Sequence, residues 1–159
     1  MNKALLTLLA CTLLLTACDP GYDEYCLLRN EASQPLTVIP AGYHCIRNNM
    51  AESFDTFYYQ PLTLATANDS MVMYNGGIGS TCQEDAYSSI CSFFGDSVIF
   101  RFSDGCQTVY HATDTLGISP YNPNAPGYKW EEKVGKPFAG HVYFGQLTFT
   151  INDEHHPQH

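Results

Sequence analysis

The sequence predicts an all-β fold, an antiparallel β-sandwich of the immunoglobulin-like kind with one or two short helical turns. Three observations carry that expectation. Short runs rich in β-branched and aromatic residues recur along the chain, turn-forming Gly, Pro, Asn and Asp punctuate them, and Asp104-Gly105 sits between two such runs. A small open barrel is the competing arrangement.

The N-terminal segment is of a different kind. Lys3 precedes an apolar run from Ala4 to Ala17, ALLTLLACTLLLTA, which is followed at once by Cys18-Asp19-Pro20-Gly21. One positive residue, a run shorter than the roughly 20 residues of a membrane span and a small residue before a cleavage point describe a secretory leader. The Leu15-Thr16-Ala17-Cys18 tetrad resembles a bacterial lipobox, which makes Cys18 the lipidation site and the first residue of the exported chain. Leu8-Leu9-Ala10-Cys11 leaves too few apolar residues ahead of it to serve. Residues 1–17 are thus read as leader, 18–24 as a lipidated tether, 25–151 as one β domain and 152–159 as a flexible His-rich tail.

Within the domain, strands are expected over Tyr25 to Arg29, Leu36 to Ile39, Phe57 to Ala65, Ser70 to Tyr74 and His141 to Ile151. Pro35 and Pro61 mark strand starts, where a missing N–H is tolerated. Gly76-Gly77-Ile78-Gly79-Ser80 reads as a turn, and Gly145 as a bulge. Gln83 to Ile90 and Tyr128 to Val134 are expected to form short helical turns. The clearest unit is Asp96 to Ala112, a hairpin with a two-residue type I′ loop at Asp104-Gly105. That loop pairs Phe102 with Gln107, Phe100 with Val109 and Val98 with His111, which puts Val98, Phe100, Phe102 and Val109 on the core face.

Charge excludes one class of partner. Without the leader the chain keeps 6 basic residues against 16 acidic ones, a formal charge of −10 with histidine neutral. Such a surface repels phosphate backbones, so nucleic acid is not an expected partner. Five cysteines follow Cys18: Cys26, Cys45, Cys82, Cys91 and Cys106. An oxidising compartment permits disulfides, with Cys82–Cys91 and Cys26–Cys45 the favoured pairs of 15 arrangements, while five buried thiols are the alternative. The absence of a C-x-x-C spacing argues against a thioredoxin-like pair or a zinc ribbon.

Catalytic and cofactor motifs are missing: the sequence has no G-x-S-x-G, P-loop, H-E-x-x-H or EF-hand loop. His44 beside Cys45, or His111, offers imidazoles that could meet a thiol, which keeps an exported Cys/His enzyme as an alternative. The tail carries His155, His156 and His159 with Asp153 and Glu154, a set able to hold a transition metal loosely. Tyr43, Tyr58, Tyr59, Tyr121, Tyr128 and Trp130 lie beside turns and are the candidates for a surface that stacks on a glycan or anchors a protein.

The tetrad Leu15 to Cys18 with Asp19, the acidic tether, N-x-A-S-x-x-L-x-V over Asn30 to Val38, F-x-D-G-x-x-x-x-Y over Phe102 to Tyr110, and Ser119-Pro120-Tyr121-Asn122 together resemble the small lipoproteins of Gram-negative gut anaerobes. That group carries no agreed activity to transfer. The resemblance implies O-glycosylation at D-[S/T]-apolar sites, with Ser70 and Thr115 favoured over Ser97. The expectation is therefore a cell-envelope protein, on the outer rather than the inner membrane. It is held in the lipid bilayer through Cys18 and binds an envelope protein or glycan without catalysis.

Overall fold

The computed structural model describes residues 21–48, 53–65, 69–78, 82–135 and 142–157, so the leader, Cys18 and His159 lie outside the described residues. Ten strands and one helix follow in order: β1 Gly21–Asn30, β2 Leu36–Pro40, β3 Tyr43–Asn48, β4 Ser53–Tyr58, β5 Leu62–Leu64, β6 Ser70–Ile78, α1 Gln83–Phe94, β7 Ser97–Phe102, β8 Gln107–His111, β9 Tyr128–Gly135 and β10 Val142–Ile151. A 3-10 turn, Asp153–His155, closes the described chain. One sheet has the order β6-β1-β10-β9, a second β5-β2-β7-β8, and β3-β4 forms a separate two-stranded ribbon. Among the described residues the chain is thus mainly β, as expected, with one helix.

Both four-stranded sheets and the helix contribute to one core. Leu28 of β1, Leu147, Phe149 and Ile151 of β10, Leu36 and Val38 of β2, and Val98, Phe100 and Phe102 of β7 are buried together. Each strand supplies alternate residues, the period of a pleated ribbon with one face inward. Phe100 and Phe149, from different sheets, place their ring centroids 6.4 Å apart. Burying each such large apolar side chain contributes roughly 1.5–3 kcal/mol.

The helix is longer than Gln83 to Ile90 and makes three turns. Ala86, Ile90, Phe93 and Phe94 recur at helical spacing and are all buried. Cys82 caps its start by accepting from the Asp85 N–H, Glu84 and Asp85 suit the positive end of the dipole, and Gly95 ends it at φ +69°. Phe94 meets Phe100, Tyr121 and Phe149 edge to face, which fixes the helix against both sheets.

Several expectations are corrected. Tyr128 to Gly135 is a strand, not a helical turn, because its aromatic and β-branched residues pair antiparallel along β10. The β10 register runs through Gly145 without a bulge on either side, and β10 pairs parallel with β1. Gly76 and Gly77 are not a turn but pair with Asp23 and Tyr22 in β6. Phe57 to Ala65 divides at Pro61, so that β4 and β5 enter different sheets. The 104–105 hairpin forms, with a three-residue loop: the Phe102 N–H donates to the Cys106 carbonyl, and Gly105 adopts φ +89°. Phe100 therefore faces Thr108 instead of Val109. The one-residue offset turns Val109 outward and half-buries Tyr110.

The tail is built into the domain. Asp153 Oδ1 accepts from the Ser33 N–H at 2.8 Å and from its hydroxyl at 2.9 Å. The His155 ring sits among Phe100, Tyr110 and Phe149, with centroids 5.7, 6.0 and 5.8 Å away. Residues 152–157 thus pack as a closing turn instead of extending as a free tail: Asp153, His155 Nδ1 and His156 Nε2 find polar partners and both imidazole rings find apolar cover, while His155 Nε2 is buried with no hydrogen-bond partner.

Candidate functional site

The proposed aromatic surface divides into two groups. Tyr43 on β3 faces Tyr58 on β4, with ring centroids 5.8 Å apart, and the two are 56% and 67% exposed. Phe57, one residue earlier and so on the other side of the ribbon, is also exposed. Tyr59, Tyr121, Tyr128 and Trp130 do not belong to this surface. Tyr59 packs on Phe93 at 5.1 Å, and Tyr121 is 5% exposed with its hydroxyl donating to the Gly95 carbonyl at 2.9 Å. The Tyr128 hydroxyl donates to Pro120 at 2.6 Å and its ring packs on Phe149; Trp130 Nε1 donates to Glu132 at 3.0 Å. Burial pushes the Tyr121 and Tyr128 phenols well above their usual range, so both remain neutral donors.

The ribbon is held firmly at its base. The Tyr59 N–H donates to the Gly42 carbonyl at 3.0 Å, and the Ala41 N–H reaches the Phe94 carbonyl at 2.9 Å. Gly42 lies so close to the end of α1 that a Cβ there would be 2.1 Å from the Phe93 carbonyl oxygen. Two exposed tyrosines thus stand on a rigid mount outside both large sheets.

A second locus forms where the closing turn meets the β7–β8 loop. His156 Nε2 lies 2.9 Å from Asp104 Oδ2, and the His156 ring packs edge-on against Phe102 at 4.8 Å. Asp104 Oδ1 accepts from the Cys106 N–H at 2.9 Å, while Gln34 Oε1 accepts from the Ser103 hydroxyl at 2.8 Å. The Cys106 backbone donor and then His156 hold the Asp104 carboxyl down to about 2. Desolvation and the neighbouring Asp104 carboxylate push the Cys106 thiol up, opposite to what a nucleophilic cysteine needs. The acidic, sulfur and imidazole groups of Asp104, Cys106 and His156 approach within 4.8 Å of one another.

The other sites named from the sequence are not assembled this way. Cys82 and Cys91 do not pair: one caps α1 and the other lies nine residues along it, roughly 13 Å by helical rise, whereas a disulfide needs Cα atoms within about 7 Å. Cys26 donates through Sγ to the Ala86 carbonyl at 3.2 Å. The side chains of His44 and Cys45 lie outside the described residues. His111 is exposed at the far end of β8 from Cys106, and its N–H donates to Asp114 at 2.7 Å. His155 and His156 face opposite partners, the aromatic cluster and Asp104, so the adjacent imidazoles do not converge as a tail chelate. Ser70 and Thr115 are exposed.

A groove of ≈ 640 Å³ runs beside the closing turn, lined by Arg29, Glu31, Lys129, Glu131, Thr148 and His155 among others. Its cations are paired, Lys129 with Glu131 at 2.8 Å and Arg29 with Glu31 at 3.7 Å. Burial holds the His155 imidazole below its ordinary 6.5 against the opposing pull of the Asn152 and Ile118 backbone and Glu154. No helix among the described residues is long and apolar enough to cross a membrane. Comparison with protein-family models, curated proteins and solved structures finds no match to this chain.

Two features of the candidate site escaped the sequence reading. Phe57 was hidden inside the run from Phe57 to Ala65, read as one strand. The partnership of His156 with Asp104 and Cys106 joins residues about 50 positions apart and has no local signal beyond the turn dipeptide.

Proposed function

We propose that the chain is a lipid-anchored protein of the cell envelope that works by binding, with the β3–β4 ribbon as its recognition element. The observation that carries this reading is the Tyr43–Tyr58 pair, large and amphipathic, exposed on a ribbon that belongs to neither four-stranded sheet. Aromatic pairs of this kind offer apolar area at low rotamer cost, together with hydroxyls that bond to a glycan or a protein partner. Phe57 extends the apolar area to the second side of the ribbon.

The anchor in this proposal is a diacylglyceryl thioether on Cys18, placed in the outer membrane. Several acyl chains give lasting attachment where one gives only marginal binding. Residues 21–24, expected as part of a tether, instead begin β1 and pair with β6 and β10, so only Asp19 and Pro20 separate the proposed anchor from the first strand, a reach of at most ~7 Å that keeps the domain near the bilayer. We take the two large sheets to face one another as a sandwich, immunoglobulin-like in having two layers about one core, with α1 filling part of the interlayer. Phe100 and Phe149 in contact across the layers support this arrangement.

The test compares the full chain with Tyr43→Ala/Tyr58→Ala for binding to purified outer-membrane and peptidoglycan fractions. Loss of tenfold or more in affinity is the expected outcome, in the range of a central aromatic pair. Equal retention of the wild type and the double variant on every fraction contradicts the assignment.

A further inference from the structure

We propose that Asp104, Cys106 and His156 form a binding site for a divalent transition metal, with Zn²⁺ the best chemical fit. The site is separate from the tyrosine ribbon and stands or falls independently of it. Thiolate, imidazole and carboxylate are the three side-chain donors that zinc takes in tetrahedral sites, and three protein ligands leave a fourth position for water. Metal–ligand lengths of about 2.0–2.3 Å put the ligand atoms of such a site about 3.3–3.8 Å from one another. Here they already lie within 4.8 Å of one another.

The remaining contraction falls on the side chains able to make it. Asp104 is exposed and Cys106 half-exposed, so both can rotate inward. His156 is 8% exposed and held by the Phe102 ring, which keeps Nε2 directed at the carboxylate. A metal enters between His156 Nε2 and Asp104 Oδ2 by widening their 2.9 Å contact by only a few tenths of an ångström. The imidazole then carries its proton on Nδ1, and the Cys106 thiol releases its proton to solvent as the thiolate binds. Gln34 orients the loop from outside: its Nε2 reaches Asp104 Oδ2 at 3.4 Å, and its Oε1 accepts from Ser103 and from the Asp104 N–H. Such supporting bonds set ligand geometry and affinity.

Two ligands come from one tight turn and the third from the C-terminal closing turn, so metal binding would cross-link the end of the chain to the β7–β8 hairpin. This differs from chelation by the tail alone, because the decisive donors Asp104 and Cys106 are far from it in sequence.

The test is titration of the reduced, metal-free full chain with Co²⁺ followed by Zn²⁺. Expected is one equivalent of Co²⁺ giving the sulfur-to-cobalt charge-transfer band of a thiolate ligand, displaced by Zn²⁺. Cys106→Ser should abolish that band, and Asp104→Asn should weaken Zn²⁺ binding at least tenfold by calorimetry, whereas His159→Gln should change neither. His156→Gln should match Asp104→Asn; if that buried substitution fails to fold by circular dichroism, the two loop variants decide the question. The proposal is overturned if no stoichiometric Co²⁺–thiolate band appears, if the band survives Cys106→Ser, or if the His159 variant alone lowers uptake.

Discussion

At the scale of single residues, two glycines show where the fold admits no side chain. A Cβ on Gly42 would meet the end of α1, and one on Gly95 would lie 2.5 Å from the Gly42 nitrogen while also requiring φ +69°. Gly105 has a positive φ too, yet nothing lies within 4 Å of its would-be Cβ. Gly42→Ala should therefore cost about 1–3 kcal/mol as an overpacked contact. Gly105→Ala should cost only the conformational penalty of about 1 kcal/mol. Urea unfolding of the two variants checks the order, and an equal or reversed loss would contradict the close approach of the ribbon base to the helix.

His155 supplies the pH dependence. Its folded-state affinity for a proton lies below that of the unfolded chain because burial among Phe100, Tyr110 and Phe149 opposes the charged form. Below pH 6.5 the unfolded chain takes up a proton that the folded chain resists, so stability is full above 6.5 and falls as pH drops beneath it. Urea midpoints measured in metal-free buffer between pH 7.5 and 5.5 should decline for the wild type. They should change less for His155→Gln, although that variant starts lower. A wild-type midpoint that rises on acidification would contradict the buried neutral imidazole. Asp104 acts in a separate, more acidic window: its contribution is present above the ordinary carboxylate range and is lost as pH falls toward about 2.

At the scale of elements, the proposed recognition ribbon β3–β4 should contribute little to stability. Its exposed tyrosines bury little, so Tyr43→Ala/Tyr58→Ala should shift the unfolding free energy by less than about 1 kcal/mol. Phe100→Ala, emptying the centre of the core, should cost about 3–5 kcal/mol. A large loss in the tyrosine variant, read by urea unfolding, would mean that the pair is structural.

The elements also show what the sequence could reveal. Alternation identified β2, β7 and the inner half of β10, because burial on one face writes a period of two into the residues. Asp104-Gly105 identified a hairpin but not its register: an Asx turn from Asp104 to the Cys106 N–H favours three loop residues, and that single added residue reverses the faces of β8. Tyr128 to Gly135 has punctuation suited to helix or strand, and only its partner β10 decides between them. The N-x-A-S motif proved to be a structural one. Asn30 Oδ1 accepts from the Ala32 N–H, its Nδ2 donates to the Gln34 and Leu64 carbonyls, and Ser33 holds Asp153. The longer-range of these bonds, Asn30 to Leu64 and Ser33 to Asp153, leave no mark on local sequence pattern. The Asp104, Cys106 and His156 cluster was unreadable for the same reason.

At the scale of the whole molecule, the first and last strands pair in parallel at the centre of one sheet, and the closing turn fills the space beside them. The two ends of the domain are therefore joined through β1 and β10, and an anchor before β1 would hold the most interconnected part of the fold near the bilayer. In the proposed envelope setting, the acidic surface of residues 18–159 would be repelled by anionic head groups, so attachment would rest on the lipid rather than on charge. The account as a whole depends on that attachment. Its most direct test is intact-mass and peptide mass spectrometry of the protein purified from bacterial membranes. The predicted result is a chain that begins at Cys18 and carries a diacylglyceryl group on its sulfur; a chain with that thiol unmodified, or with residues 1–17 still present, would contradict it.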